Sequence, residues 1–183
     1  MRLIHAAPIT ATLLLAACGG GADTNGDGAV SSEEVVAEAA DVIKPEPGQY
    51  RTSYEVVEFD VPGAPEAMKQ QMQAQMGGAG AAAREMTYCL TPEEAAANGP
   101  EQMAKNMARG NCTVARFDVS GGTLSADMQC ASPDGTTSHV VMEGQMTSTR
   151  STITMTNAMD MKGIGTMNMK TKVTSERIGD CPA

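Results

Sequence analysis

Hydrophobic and polar residues alternate through the second half of the chain. Phe117, Val119, Leu124, Ala126 and Met128 fall at every second position around Gly121-Gly122, with Arg116, Asp118, Ser125 and Asp127 between them. Two such runs joined by two glycines predict a β-hairpin, because glycine admits the positive φ of a tight turn and a period of two places the apolar set on one face. Pairing Ser120 with Thr123 puts Phe117 opposite Ala126 and Val119 opposite Leu124. Further on, Ile153, Met155, Met159 and Met161 alternate with Thr and Asp, and Met167, Met169, Thr171 and Val173 repeat the pattern after Gly163 and Gly165. Consecutive alternating runs on short glycine turns predict an antiparallel meander with one polar face. Tyr50 to Val61 predicts a further strand, with Tyr50, Tyr54 and Val56 on one side.

Helical spacing belongs to the first half. Ser31 to Ile43 predicts a short helix opened by a Ser31-x-x-Glu34 capping box, with Val35, Ala39, Val42 and Ile43 on one side, and Pro45 and Pro47 end it. Pro65-Glu66 starts a second helix that Gly77-Gly78 stops, carrying Met68, Met72 and Met76 at i, i+4 and i+8. Thr91-Pro92-Glu93-Glu94 opens a third, and Pro100 a fourth with Met103 and Met107 in register. The expected fold is mainly antiparallel β, a meander or half-barrel, with a helical insertion at about 64–110 and a short N-terminal loop-helix.

The first residues read as an address. Arg2 is the only charge before Asp23, and the apolar run Ala11 to Ala17 is too short to span a bilayer as a permanent helix. Cys18 follows Leu15-Ala16-Ala17, which resembles the lipobox of bacterial lipoproteins, whose cysteine is acylated and becomes the first residue. Several acyl chains would anchor the protein stably. Gly19 in place of an Asp after the cysteine resembles the sorting pattern for the outer membrane. The chain then divides into a signal peptide (1–17), a lipid-anchored tether with loop and helix (18–43) and a β-rich domain (44–183).

Asp23 to Glu34 matches the twelve-residue calcium loop of an EF-hand. Calcium is a hard cation and takes oxygen ligands. Asp23, Asn25 and Asp27 supply positions 1, 3 and 5, and Gly28 makes the sharp turn. The Ala29 carbonyl serves position 7, Ser31 binds directly or through water, and Glu34 binds bidentately. Val30 occupies the apolar anchor position. Only Gly19 to Ala22 separates the loop from Cys18, so no incoming helix or second hand is expected. The expectation is one weak site, with Kd on the order of 10⁻⁴–10⁻³ M.

Five cysteines become four once Cys18 is acylated. Cys89, Cys112, Cys130 and Cys181 then imply two disulfides in an exported domain, with three possible connectivities. In the predicted hairpin Cys130 shares the apolar face and Cys112 falls on the opposite one. Side chains on opposite faces of a sheet cannot bridge. The expected pairs are therefore Cys89–Cys112 and Cys130–Cys181, a choice that a one-residue bulge at the glycines would reverse.

A family resemblance rests on several of these residues together. Lys44-Pro45-Glu46-Pro47-Gly48-Gln49-Tyr50 opens a strand, and Cys89-Leu90-Thr91-Pro92-Glu93 follows. Cys112 precedes Phe117-Asp118-Val119-Ser120-Gly121-Gly122, then come Cys130 and Arg177-Ile178-Gly179-Asp180-Cys181. From Lys44 to Cys181 the chain resembles the bacterial domain of unknown function 3617, found in exported envelope proteins. The resemblance implies an exported β-rich domain with a helical insertion, and no activity.

The chain has 13 Lys and Arg against 22 Asp and Glu, a formal charge of −9. Such acidity argues against nucleic-acid binding and against adsorption to anionic lipid heads. With no Trp, two Phe, three Tyr and fifteen Met, the core must be filled largely by methionine, which suits irregular space. The same methionines offer an adaptable apolar site for a lipid-like ligand, or a thioether cluster of the kind soft Cu(I) favours. His139 is the only histidine after the signal segment, and no nucleophile, zinc or phosphate-loop motif surrounds it. The expected function is a membrane-anchored envelope lipoprotein, a binding or structural module and not an enzyme. Its expected partners are the membrane through Cys18 and an apolar ligand or another envelope protein.

Overall fold

The computed structural model describes residues 23–26, 28–40, 42–76, 84–97, 105, 111–161 and 165–182. Its elements are α1 (Ser32–Ala39), β1 (Gly48–Asp60), α2 (Glu66–Met76), β2 (Arg84–Leu90) and α3 (Pro92–Ala97), followed by β3 (Cys112–Ser120), β4 (Thr123–Ala131), β5 (Thr137–Met146), β6 (Arg150–Met161) and β7 (Gly165–Gly179). The strands form one antiparallel sheet in the order β2-β1-β7-β6-β5-β4-β3. The alternating second half thus folds as the expected meander, and its last strand returns to pair with β1. The sheet does not close: β2 and β3 are its edges. Apart from Lys105, the helix expected from Pro100 lies outside the described residues.

One face of this sheet carries a largely apolar row from β3 to β1, interrupted by Thr171. Phe117 pairs with Ala126, Ala126 with Met142, Met142 with Met155, and Met155 with Thr171, whose partner is Val56. Directly paired residues in an antiparallel sheet point to the same side, so this row defines an inner face. A bulge at Val57, between Val56 and Glu58, shifts β1 by one residue. It returns Phe59 to the inner face opposite Met169, although three positions from Val56 would otherwise point it outward. Phe59 then packs with Val61 and Ala64, and Met72 of α2 covers them.

The expected hairpin register is correct from Ser120↔Thr123 to Arg116↔Asp127. A second bulge follows at Ala115, after which Val114 pairs with Met128 and Cys112 with Cys130. It brings both cysteines to the inner face. The disulfides are therefore Cys112–Cys130, Cα atoms 3.9 Å apart, and Cys89–Cys181, at 5.4 Å. This corrects the expected Cys89–Cys112 and Cys130–Cys181 pairs. The bulge that reverses them sits in the middle of β3 and not at the glycines.

Candidate functional site

The N-terminal loop closes on itself through its first and last carboxylates. Asp23 Oδ1 accepts the Gly26 N–H at 2.7 Å and Oδ2 the Gly28 N–H at 3.0 Å. Glu34 Oε1 accepts the Thr24 hydroxyl at 2.6 Å and the Thr24 N–H at 2.9 Å, while Oε2 accepts the Ser31 N–H at 2.9 Å. Ser31 returns its hydroxyl oxygen to the Glu34 N–H, completing the capping box expected at the start of α1. Gly28 has φ +87°, the left-handed turn that position 6 requires. The Thr24 hydroxyl, then the Ser31 and Thr24 amides, hold the Glu34 carboxyl down at about 2, so it is ionised at any physiological pH.

Asp23 and Glu34 thus bracket the loop with oxygen donors of the kind calcium takes. Asp27, the third expected carboxylate, lies outside the described residues. Among those described, no three His, Cys, Asp or Glu side chains gather as a metal-ligand group. Asn25, Ala29 and Ser31 belong to the same loop. The donor chemistry fits calcium: its carboxylates now accept backbone N–H groups, and a cation would compete with those donors.

The loop and helix do not stand off as a free tether. The Val30 N–H donates to the Val114 carbonyl at 2.7 Å, forming an isolated antiparallel bridge on the outer edge of β3. Glu38 Oε1 accepts the Val119 N–H farther along the same strand, at 2.9 Å. Between these two points Val30, Val35 and Ala39 pack with Phe117, Leu124 and Met128 in the largest buried cluster. The segment caps an edge strand that would otherwise present unpaired backbone groups. α1 stops at Ala39, earlier than the expected Ile43, and Val42 joins the cluster from the following segment. Glu46 N–H then hooks onto the Ser148 carbonyl at the β5–β6 turn, at 2.7 Å.

A groove of about 480 Å³ lies on the inner face between this connecting segment and the strands β2, β1, β7 and β6. Tyr50, Tyr54 and Tyr88, all three tyrosines of the chain, line it together with Ile43, Met86 and Val173. Tyr50 stacks on Tyr88 with ring centroids 5.7 Å apart, and its hydroxyl donates to the Glu46 or Ser148 carbonyl, at 2.8 and 3.1 Å. Burial, reinforced by the Tyr88 phenol, pushes the Tyr50 hydroxyl above its ordinary pKa. Thr52 and Ser175 satisfy one another across the groove floor at 2.9 Å.

The remaining chemistry-bearing residues are dispersed. Met159 and Met167 face each other across β6 and β7, and Met169 pairs with Asn157 one step along the same face. Met72 and Met167 pack against the Phe59 cluster, and Met68 is exposed. Met103 and Met107 lie outside the described residues. The described inner-face methionines sit where the apolar filler of the sheet belongs. His139 Nε2 meets Asp127 Oδ1 at 2.7 Å on the polar face, a cross-strand pair that the sequence does not reveal. The groove was equally hidden: Tyr50 and Tyr88 become neighbours only through the β1–β2 pairing, and the sole signal in the sequence is the scarcity of aromatics.

No curated protein and no solved structure matches this chain. A family model described as a protein of unknown function, DUF3617, matches residues 45–181, the stretch that holds the whole sheet and both disulfides, and the chain belongs to that family.

Proposed function

We propose that this protein is a lipoprotein of the cell envelope, anchored in the outer membrane through acylated Cys18, that serves as a binding or structural module and not as an enzyme. Its Asp23–Glu34 loop takes up one calcium ion weakly, and the ion holds the N-terminal segment against the sheet. The observation that carries the calcium reading is the loop's closure, with Glu34 bonded to Thr24 beside Asp23 while Val30 bridges to Val114. Val30 lies within the loop and Glu34 in the docked helix, so an ion that replaces the N–H donors on Asp23 and Glu34 and ties the two carboxylates together would order the segment that docks. The lipobox and the cysteine count support the address, and the four bridged cysteines suit an oxidising compartment.

Calorimetry on the soluble fragment from Gly19 onward tests the calcium site. One site with Kd on the order of 10⁻⁴–10⁻³ M is expected, abolished by Asp23→Ala with Glu34→Gln. Calcium at about ten times Kd should stabilise the whole domain by about 1.4 kcal/mol, read as a rise in Tm. A double variant that binds as well as the wild type, or no binding at millimolar calcium, removes the site. Binding without a rise in Tm removes its coupling to the sheet.

A further inference from the structure

We propose that the inner face of β6 and β7 binds one Cu(I) ion, with the thioethers of Met159, Met167 and Met169 as its ligands and the Asn157 amide oxygen beside it. The inference goes beyond the envelope and calcium readings and rests on neither of them.

Strand register gathers methionines that lie apart in the chain. Met155 and Met159 flank Asn157 along β6, and Met169 is its partner on β7. Met167 and Met142 stand diagonally from it, as the partners of Met159 and Met155. All five share a face with Asn157, since paired residues and every second residue of a strand point to one side. Directly opposed Cβ atoms lie about 4.5–5.5 Å apart and diagonal ones about 7–8 Å. Thioethers on unbranched stems can converge on one point across such gaps.

Asn157 is the residue that apolar filling does not explain. Its row across the sheet is otherwise Val114, Met128, Val140, Met169 and Phe59. The Asn157 Oδ1 is buried without a hydrogen-bond partner, the one such side-chain atom among the described residues. A buried acceptor left unpaired destabilises the fold unless a donor or a cation meets it. A cation seated among the neighbouring sulfurs would meet it.

Ligand chemistry then selects the ion. Thioether sulfur is a soft donor that favours Cu(I), whereas calcium and magnesium take oxygen, and zinc takes thiolate, imidazole or carboxylate. The other neighbours of Asn157 on this face are Val140, Ser138 and Thr171. Among them no carboxylate or imidazole offers a harder ion its ligand, and no Lys or Arg repels a cation. Copper also accepts a weak axial amide oxygen beside three stronger ligands. None of the five methionines is fully buried, so the ion can reach them without unfolding the domain.

Anaerobic titration of the mature protein, its disulfides intact, against a chromophoric Cu(I) chelator should show one equivalent withdrawn, and Zn(II) should not compete. With isotope-labelled methionine methyl groups, the resonances of Met159, Met167 and Met169 should shift on loading. That of Met68, exposed on α2, should not. Met159→Leu with Met167→Leu, a volume-conserving exchange, should abolish the withdrawal and leave thermal unfolding cooperative. Asn157→Leu should weaken Cu(I) binding several-fold and raise the Tm of the ion-free protein, because it removes the orphaned oxygen. The proposal is overturned if the wild type withdraws no Cu(I) or if the folded double variant withdraws as much. It is equally overturned if the methionine methyls shift without preference, as thioethers binding singly would. Should the double variant not fold, the methyl spectrum of the wild type decides on its own.

Discussion

Replacing Val35 by alanine measures directly how firmly the N-terminal segment belongs to the domain. Val35 is 1% exposed and packs in the cluster that contains Phe117, Leu124 and Met128. The substitution deletes two buried methyl groups, each worth about 0.8 kcal/mol of transfer free energy. The cavity left behind adds to this, because β3 and β4 are held in register and cannot collapse onto α1, so the total is about 2–3 kcal/mol. In urea, with m near 2 kcal/mol per molar, the midpoint should fall by about 1–1.5 M without a change in m. Glu33→Ala, on the exposed side of the same helix, serves as the control and should shift it little. Glu38→Ala should cost about 1 kcal/mol, because it strips the acceptor from the Val119 N–H. Far-UV circular dichroism dominated by the sheet is the appropriate probe, since loss of an eight-residue helix would barely register in it. If Val35→Ala leaves the midpoint within about 0.2 M of wild type, a small fraction of the shift expected from its burial, the segment is a tether. Calcium would then have no sheet to stabilise.

Non-reducing peptide mapping should recover Cys89–Cys181 and Cys112–Cys130. On loop-closure entropy the first encloses 92 residues and the second 18, so removing Cys89–Cys181 should cost about 1–1.5 kcal/mol more than removing Cys112–Cys130; equal costs in equilibrium melts would contradict that ordering. Because the folded-state pKa of Tyr50 is raised, its contribution to stability is complete below the unfolded value near 10 and is lost as pH rises above it. A tyrosinate absorbance titration should contain a phase above the ordinary phenol range that Tyr50→Phe removes, and survival of that phase in the variant would refute the assignment. Cys18→Ser should release the protein from the membrane fraction, whereas a mature chain beginning elsewhere than at Cys18 would end the anchoring proposal.

Much of the architecture was legible because it depends on neighbours in the chain. A period of two in β3 and β4 and the Gly121-Gly122 turn specify which residues face each other, since a one-residue slip would expose the whole apolar set. Gly122 also has φ +81° and sits where an added Cβ would meet the Met146 carbonyl oxygen at 2.5 Å, so turn chemistry and close packing agree there. The Ser31–Glu34 capping box was equally local and formed as its spacing predicts. The loop's oxygen donors and the Cys18 motif are likewise properties of short segments.

What lay beyond reach of the pattern was decided by single-residue irregularities and by pairings distant in sequence. The extra residues at Val57 and Ala115 have no compositional signature, yet one keeps Phe59 in the core and the other chooses the disulfide partner of Cys112. The groove required β1 to meet β7 across more than a hundred residues, and the docking of α1 required an unpaired edge of β3 that exists only once the sheet order is set. By itself the sequence determined the meander, the paired faces of β3 and β4 up to Arg116 and the identity of the candidate ligands, because those follow from local geometry and side-chain chemistry. β2 (Arg84–Leu90), within the stretch expected to be a helical insertion, was not among the elements it predicted. The tertiary structure alone decided which faces meet, since an open sheet places its edges, its covering helix and its groove by long-range pairing that no local period encodes.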